Sequence, residues 1–287
     1  MQQPQPSQIE QLCDLREIAT DEFQASVVPT SLERTFGGQL VAQAVAAAAR
    51  TVDAEFSPHS LHCYFLAPGD PAQPTQVRVQ RLREGRSFRS RLLSLSQSGQ
   101  LLCSVQVSMH HGRDAGLSHN EPAPVLPAPE EISRADSARA AFFDREWPEW
   151  DIRIVPRERL SAPLTAAATQ VAWMRSTAAL PADELLHSCA LSYISDATLL
   201  SAAQVRHPST PLQMASLDHA LWFLRPVRVD QWLAYVQTSP AAGGGRSLCE
   251  GRIYDAAGQL VALATQEGLT RHLRHSRYTD KPLTNDC

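Results

Sequence analysis

The chain repeats itself. His62-Cys63-Tyr64-Phe65-Leu66-Ala67-Pro68 lies against His219-Ala220-Leu221-Trp222-Phe223-Leu224-Arg225-Pro226 with one residue of slippage. Arg86-Ser87 matches Arg246-Ser247, and Gly99-Gln100-Leu101 matches Gly258-Gln259-Leu260, so the offset stays between 157 and 160 residues. A steady offset marks an internal duplication, and it requires both halves to adopt one fold. The 287 residues leave room for two units. At about 140 residues each, both are large enough to bury a core.

Each unit reads as a helix followed by strands. Ser7-Gln8-Ile9-Glu10 is a capping box that opens a short helix through Arg16. Residues 22–28 alternate as a strand. Phe36-Gly37-Gly38-Gln39 then leads into 40–49, a run that is apolar except for Gln43 and rich in alanine. A helix apolar nearly all round must be buried against more than one surface. Strand signals follow at 59–66, 75–84, 87–97 and 100–109, the last two joined by the hairpin turn Ser98-Gly99. One buried helix followed by an antiparallel meander is the hot-dog pattern. In the second half, strands at 150–155 and 170–176 precede a helix near 196–206, and a second meander covers 217–224, 232–239, 246–254 and 259–271. The expected fold class is α+β, a double hot-dog in which two helices are each wrapped by an antiparallel sheet in one chain. The units fall at 1–111 and 141–275. Between them 112–140, with Pro122, Pro124, Pro127 and Pro129, is an extended linker unable to join a sheet interior, and 276–287 is a tail.

Composition excludes several roles. A net charge of −4 gives no dominant basic surface, so nucleic acid is not an expected partner. The apolar run at 40–49 is too short to span a bilayer, so no membrane is expected either. The N-terminus shows neither a basic n-region nor an apolar h-region, and the chain ends without a Ser-Lys-Leu address. Cysteines 13, 63, 103, 189, 249 and 287 contain no C-x-x-C pair. They read as free thiols in a reducing cytoplasm, with neither disulfide framework nor metal, and no cofactor is expected.

The stretch Leu191-Ser192-Tyr193-Ile194-Ser195-Asp196-Ala197-Thr198-Leu199-Leu200-Ser201-Ala202-Ala203 carries the candidate chemistry. Ser195 or Asp196 stands where an N-cap belongs, with Leu199, Leu200 and Ala203 at helical spacing behind it. An acid there is a plain cap or a positioned general base. Downstream, Ser216 satisfies a strand edge or assists that base, and Gln266 bridges sheet backbone or does the same. His59, His62 and His219 sit in aromatic strands, where a hydrogen-bonded structural role is the commoner one. Asp218 and His219 point to opposite faces of their strand and cannot form a dyad.

Six motifs in order resemble the type II acyl-CoA thioesterases, covering residues 8 to 272 apart from the Pro-rich segment. Phe36-Gly37-Gly38-Gln39 is similar to that family's FGGQ helix opening. His59-Ser60-Leu61-His62-Cys63-Tyr64-Phe65-Leu66-Ala67-Pro68-Gly69-Asp70 is similar to its HSxHxYFLxPGD strand. Leu82-Arg83-Glu84-Gly85-Arg86-Ser87-Phe88 resembles its LRxGxSF turn. Tyr193 to Leu200 resembles its Y-x-S-D helix start, Ser216-Leu217-Asp218-His219 its T-x-D-H strand, and Gln266-Glu267-Gly268 its Q-E-G strand.

The resemblance implies hydrolysis of acyl-CoA thioesters by an Asp, a Thr and a Gln acting on one water. Asp196 and Gln266 match outright. The Thr position holds Ser216, which keeps the hydroxyl and loses the methyl that stiffens the rotamer. Water must be oriented and partly deprotonated to attack, which a carboxylate can do. The leaving thiol, with a pKa of about 8.5, departs without a dedicated acid. Oxyanion donors are expected from main-chain N–H groups near Ser195-Asp196 or near Gly37-Gly38. Arg83, Arg86 and Arg89 are either contacts for CoA phosphates or a solvated loop. The matching first-half positions carry Gly38 or Gln39 and Val107, none of them an acid, so one active site per chain is expected. Hot-dog sheets commonly associate, giving a homo-dimer or homo-tetramer. Two rivals remain: a non-catalytic acyl-CoA-binding sensor or scaffold, and a hot-dog hydratase or dehydratase, for which the chain lacks a histidine just after Asp196.

Overall fold

In the computed structural model, which describes residues 7–112 and 115–273, the alanine-rich run forms α2 (Gly37–Ala49), with every residue from Gly38 to Ala48 buried. The tail at 276–287, with Cys287, lies outside the described residues. Leu40, Val41 and Val45 are each at most 3% exposed. Full burial of such side chains is worth about 1.5–3 kcal/mol apiece. The alanines contribute less area but let neighbours approach the helix on several sides at once.

Those neighbours are two. On one side lies a sheet: β1 (Leu15–Ala19), β2 (Glu22–Ala25), β3 (Ser57–Phe65), β4 (Thr75–Glu84), β5 (Phe88–Gln97) and β6 (Gln100–His110). On the other lies the second long helix, α5 (Glu184–Ser195). The second half supplies β7 (Trp150–Ile154), β8 (Gln170–Ser176), β9 (Leu212–Ser216), β10 (Asp218–Phe223), β11 (Leu233–Gly243), β12 (Arg246–Tyr254) and β13 (Leu260–His272).

The strands form one 13-stranded sheet ordered β1-β2-β4-β5-β6-β3-β10-β13-β12-β11-β8-β7, with β9 added on β13. Reading outward from the β3–β10 junction, the two halves carry the same sequence of roles. The duplication is therefore a structural one, and the fold is a double hot-dog with one continuous sheet. At the junction Leu221 pairs with Leu61 and His219 with Cys63, all buried toward the helices. Ser98 and Gly99 turn the β5–β6 hairpin with φ of 47° and 83°, the left-handed pair a two-residue hairpin needs.

Three expectations need correction. Helix α1 (Gln8–Cys13) opens on the Ser7–Glu10 capping box but stops before Arg16, because Leu15–Ala19 is taken into the sheet as β1. The second-half helix does not begin at Asp196. It is capped by Asp183, whose carboxylate accepts from the Leu185 and Leu186 amides, and it ends at Ser195. The buried serines are satisfied inside it: Ser188 and Ser192 donate to the carbonyls four residues back. After Asp196 the chain continues as a 3-10 helix, Leu199–Arg206. Finally, β9 was not foreseen. Ser216 ends that strand rather than opening β10.

Between the halves, the described residues 115–139 form no strand, only 3-10 turns at Pro129–Glu131 and Arg134–Asp136. The segment is nonetheless pinned to the second half. Trp173 Nε1 donates to the Pro127 carbonyl, and Arg153 to those of Pro129 and Ile132. Helix α3 (Ala140–Glu146) follows, packing its aromatic face around Trp147, which meets Phe36 edge-on with ring centres 5.2 Å apart, and a short α4 (Ala162–Ala166) lies between β7 and β8.

Candidate active site

Helix α2 begins without a cap of its own. Its N-cap residue is Phe36, which offers no side-chain acceptor, so the first amides need one from elsewhere. Asp196 supplies it from the other half of the chain: its Oδ2 accepts from the Gly38 N–H at 2.8 Å. An acid at a helix N-terminus also meets the positive end of the helix dipole. Asp196 is thus a cap, but of α2 and not of a helix it begins.

Three further bonds complete the cluster. Gln266 Nε2 donates to Asp196 Oδ1 at 2.5 Å and to Ser216 Oγ at 2.6 Å. Ser216 Oγ lies 3.4 Å from Asp196 Oδ1. Each side chain is delivered by a different element. Gln266 projects inward from β13, Ser216 stands at the end of β9 two positions along the same ladder, paired with Gly268, and Asp196 follows α5. Gln266 is fully buried and does not line the cavity; it sits behind the other two and holds both. Its Oε1 has no hydrogen-bond partner among the described residues.

Glycines make this convergence possible. A Cβ on Gly37 would lie 2.7 Å from Asp196 Oδ2 and 2.8 Å from Phe65 Cζ. On Gly38 it would lie 2.1 Å from the Tyr193 carbonyl oxygen, so any side chain there would push α2 off α5. The FGGQ opening is a packing requirement of the acid.

Asp196 and Ser216 line a cavity of about 650 Å³ together with Gly37. Its apolar wall includes Leu32, Phe36, Leu40, Phe65 and Met214, and Glu33 and Arg34 also line it. The loop carrying Leu32 to Thr35 is fixed from the second half by the buried carboxylate of Glu146. That group accepts from Thr30 Oγ1 at 2.8 Å, from the Ser31 amide at 3.1 Å and from the Ser31 hydroxyl. Burial pushes the Glu146 carboxyl up, but the bonds from Ser31, Arg145 and Thr30 outweigh it and hold the group at about 2. Sequence reasoning missed Glu146. A lone acid in a short aromatic helix gives no sign of a partner 115 residues away.

Other named residues fall elsewhere. Arg83 and Arg89 line a separate cavity of about 430 Å³ with His59 and Phe88. Arg83 pairs with Ser90, at the end of the sheet opposite Phe65, and Arg86 lies in the turn just beyond. The structure does not bring Arg83 or Arg86 to Asp196. Arg89 is committed to Asp53 at 2.7 Å. His59 bonds Ser108 at 2.7 Å, His62 stacks edge-on against Trp222, and Asp218 accepts from the Glu267 amide at 2.7 Å. Cys63 is buried near the site. Its hydrogen bond with Cys103 and its burial push the thiol well up, with Asp196 and Asp218 adding to the effect, so it stays protonated. Among the described residues no three His, Cys, Asp or Glu side chains group as a metal site requires, and no helix is long and apolar enough to cross a membrane.

The pseudo-equivalent place in the first half is filled. By helix ends, Asp196 corresponds to Arg50 and not to Gly38 or Gln39, since each is the C-cap of its helix. Gln266 pairs with Cys249 as Val107 pairs with Arg91. The fully buried Arg91 guanidinium occupies the space there, donating to Thr51 Oγ1 at 2.7 Å and to the Thr51 carbonyl at 2.9 Å.

Residues 27–110 match the profile described as the acyl-CoA thioesterase N-terminal domain, and residues 143–269 the profile of the acyl-CoA thioesterases. Acyl-coenzyme A thioesterase 8 of Rattus norvegicus is 35% identical over 264 residues, covering 85% of this chain and 82% of that one. The chain belongs to the acyl-CoA thioesterase family. Among solved structures, acyl-CoA thioesterase II TesB2 from Mycobacterium marinum superposes with a TM-score of 0.83 at 43% identity, over 92% of this chain and 98% of that one. A hot-dog protein of unknown function from Alicyclobacillus acidocaldarius shares the fold at 20% identity, with a TM-score of 0.77, over 94% and 100% of the two chains. As a thioesterase-family member, the chain is an enzyme of the thioester hydrolase class.

Proposed function

We propose that this enzyme hydrolyses acyl-CoA to free fatty acid and CoA with a water activated by Asp196, Ser216 and Gln266. The observation that carries the reading is the hydrogen-bonded triangle of those three side chains at a cavity with both polar and apolar walls, with the α2 N-terminus against the acid. Water attacks the thioester carbonyl carbon, and its proton passes to the Asp196 carboxylate as the C–O bond forms. Oδ2 is the acceptor, because Oδ1 already takes two donors, Gln266 and Ser216, whereas Oδ2 takes only the Gly38 N–H and adjoins the cavity wall at Gly37. Gln266 holds the carboxylate and the Ser216 oxygen at a fixed separation; with the serine O–H turned to Asp196, the second lone pair of that oxygen is left to accept from the water and orient it.

The tetrahedral intermediate carries an oxyanion. The Gly38 N–H is spent on Asp196, so the donor is assigned to Gly37, which heads α2, lines the cavity and has no intrahelical acceptor. Collapse of the intermediate breaks the C–S bond and releases CoA thiolate. The apolar wall takes the acyl chain. Release of free thiol from short-, medium- and long-chain acyl-CoA, followed with DTNB, tests the reading. Turnover that depends on chain length supports it. Tight acyl-CoA binding with no thiol release would instead describe a non-catalytic acyl-CoA sensor.

A further inference from the structure

Asp196 owes its position to the residue before it. Ser195, the last residue of α5, is fully buried and is gripped twice. Its carbonyl accepts from Tyr235 Oη at 3.1 Å, and its Oγ lies 2.9 Å from His219 Nε2. Tyr235 reaches that carbonyl only because its ring packs on Gly251, where a Cβ would stand 2.2 Å from Cε2.

His219 takes no part in the chemistry set out above, yet it is fully buried in the central strand β10. Its Nδ1 has no partner among the described residues. A buried imidazole with one orphaned nitrogen is costly unless its other bond matters. The network assigns the tautomer. Ser195 Oγ–H donates to the Ser192 carbonyl at 3.2 Å, so its oxygen accepts and His219 Nε2–H donates. Burial lowers the pKa of His219, with Asp196 and Asp218 partly opposing, which keeps the ring neutral around pH 7.

We propose that His219 is a positioning residue for hydrolysis: its Nε2–H fixes Ser195 Oγ, which sets the end of α5 and so aims the Asp196 carboxylate at the attacking water. The proposal rests on the functional reading above. It does not make His219 a base, because the ring reaches the acid only through Ser195. The downstream side of Asp196 is held in the same way, Gln237 donating to Thr198 Oγ1 at 2.5 Å and Gln170 to the Thr198 carbonyl at 3.1 Å. The acid is therefore clamped between two buried polar contacts.

The test compares steady-state hydrolysis of one acyl-CoA by the full-length wild type, Ser195→Ala, His219→Leu, His219→Gln and the Ser195→Ala/His219→Leu double variant, with melting temperatures alongside. Misplacing a reacting group by about 1 Å costs on the order of 100-fold. Ser195→Ala and His219→Leu are expected to lower kcat by about 10- to 100-fold while KM stays within about twofold. His219→Gln, which restores an N–H at similar reach, should recover most of the loss. The double variant should be no slower than the slower single one, because both break the same link. Ser195→Ala with wild-type kcat overturns the proposal even if His219→Leu fails to fold, and so do losses that multiply in the double variant. A wild type without turnover would overturn the functional reading, and this proposal with it.

Discussion

The Gly38 amide of one helix donates to the Asp196 carboxylate that follows the other, 158 residues along the chain, at 2.8 Å. Two duplicated units thus meet at one candidate site: one half provides the acid and the other provides the electropositive helix start that receives it. Only the absence of side chains at Gly37 and Gly38 lets the two meet.

Gly37→Ala should therefore act on the acid directly. The new Cβ would stand 2.7 Å from Asp196 Oδ2, and either the carboxylate or Phe65 must move. A displacement of that size should lower kcat on the order of 100-fold. Steady-state hydrolysis of acyl-CoA measures it; a variant within twofold of wild type would show that the carboxylate need not sit there.

Ser216→Ala removes the oxygen that accepts from Gln266 and would orient water. Loss of one such bond, at about 1.4 kcal/mol, should reduce kcat about tenfold. Ser216→Thr keeps the hydroxyl with a stiffer rotamer and should hold turnover at or above the wild-type level. The two variants are compared on the same substrate. Equal rates for wild type and Ser216→Ala would remove the hydroxyl from the mechanism.

Much of this was legible in the sequence because it rests on local chemistry. The repeat offset, the alanine run, the alternation of 75–84 and the Ser98-Gly99 turn each specify their structure within a few residues. The second helix was misplaced for a physical reason. Ser195 and Asp196 read as a helix start, whereas Ser188, Ser192 and Ser195 each find an acceptor inside a helix that ends there. Asp196 looked like a cap and is one, but for a helix that sequence adjacency could not reveal. β9 was missed because Leu212–Ser216 shows no clean alternation and gains its place only by pairing with β13. Glu146 lay beyond reach for the same reason, its partners being distant in the chain.

Glu146 gives a pH prediction. Its carboxyl is held at about 2 against an ordinary 4.5. A lowered pKa in the folded state contributes stability above the unfolded value, and that contribution fades as pH falls from about 4.5 to about 2. Wild type should melt higher than Glu146→Gln at pH 7, and the gap should close toward pH 2–3. Because the carboxylate anchors the loop bearing Leu32 to Thr35, Glu146→Gln should also raise KM for acyl-CoA more than it lowers kcat. A melting difference that does not change with pH would contradict the assignment.

The most direct test is turnover by Asp196→Asn. The amide keeps one acceptor oxygen, so it can still bond either Gly38 or Gln266. It must turn its NH₂ toward the other donor, at a stability cost of about 1–3 kcal/mol. It cannot take the proton from water, and the general-base contribution of about 10²–10⁴-fold should vanish from kcat. Measured by thiol release from acyl-CoA well below the variant's melting temperature, the account predicts a folded protein, a KM close to wild type and a kcat lower by at least about 100-fold. A folded Asp196→Asn enzyme that releases CoA at the wild-type rate would show that Asp196 only caps α2 and that the base lies elsewhere.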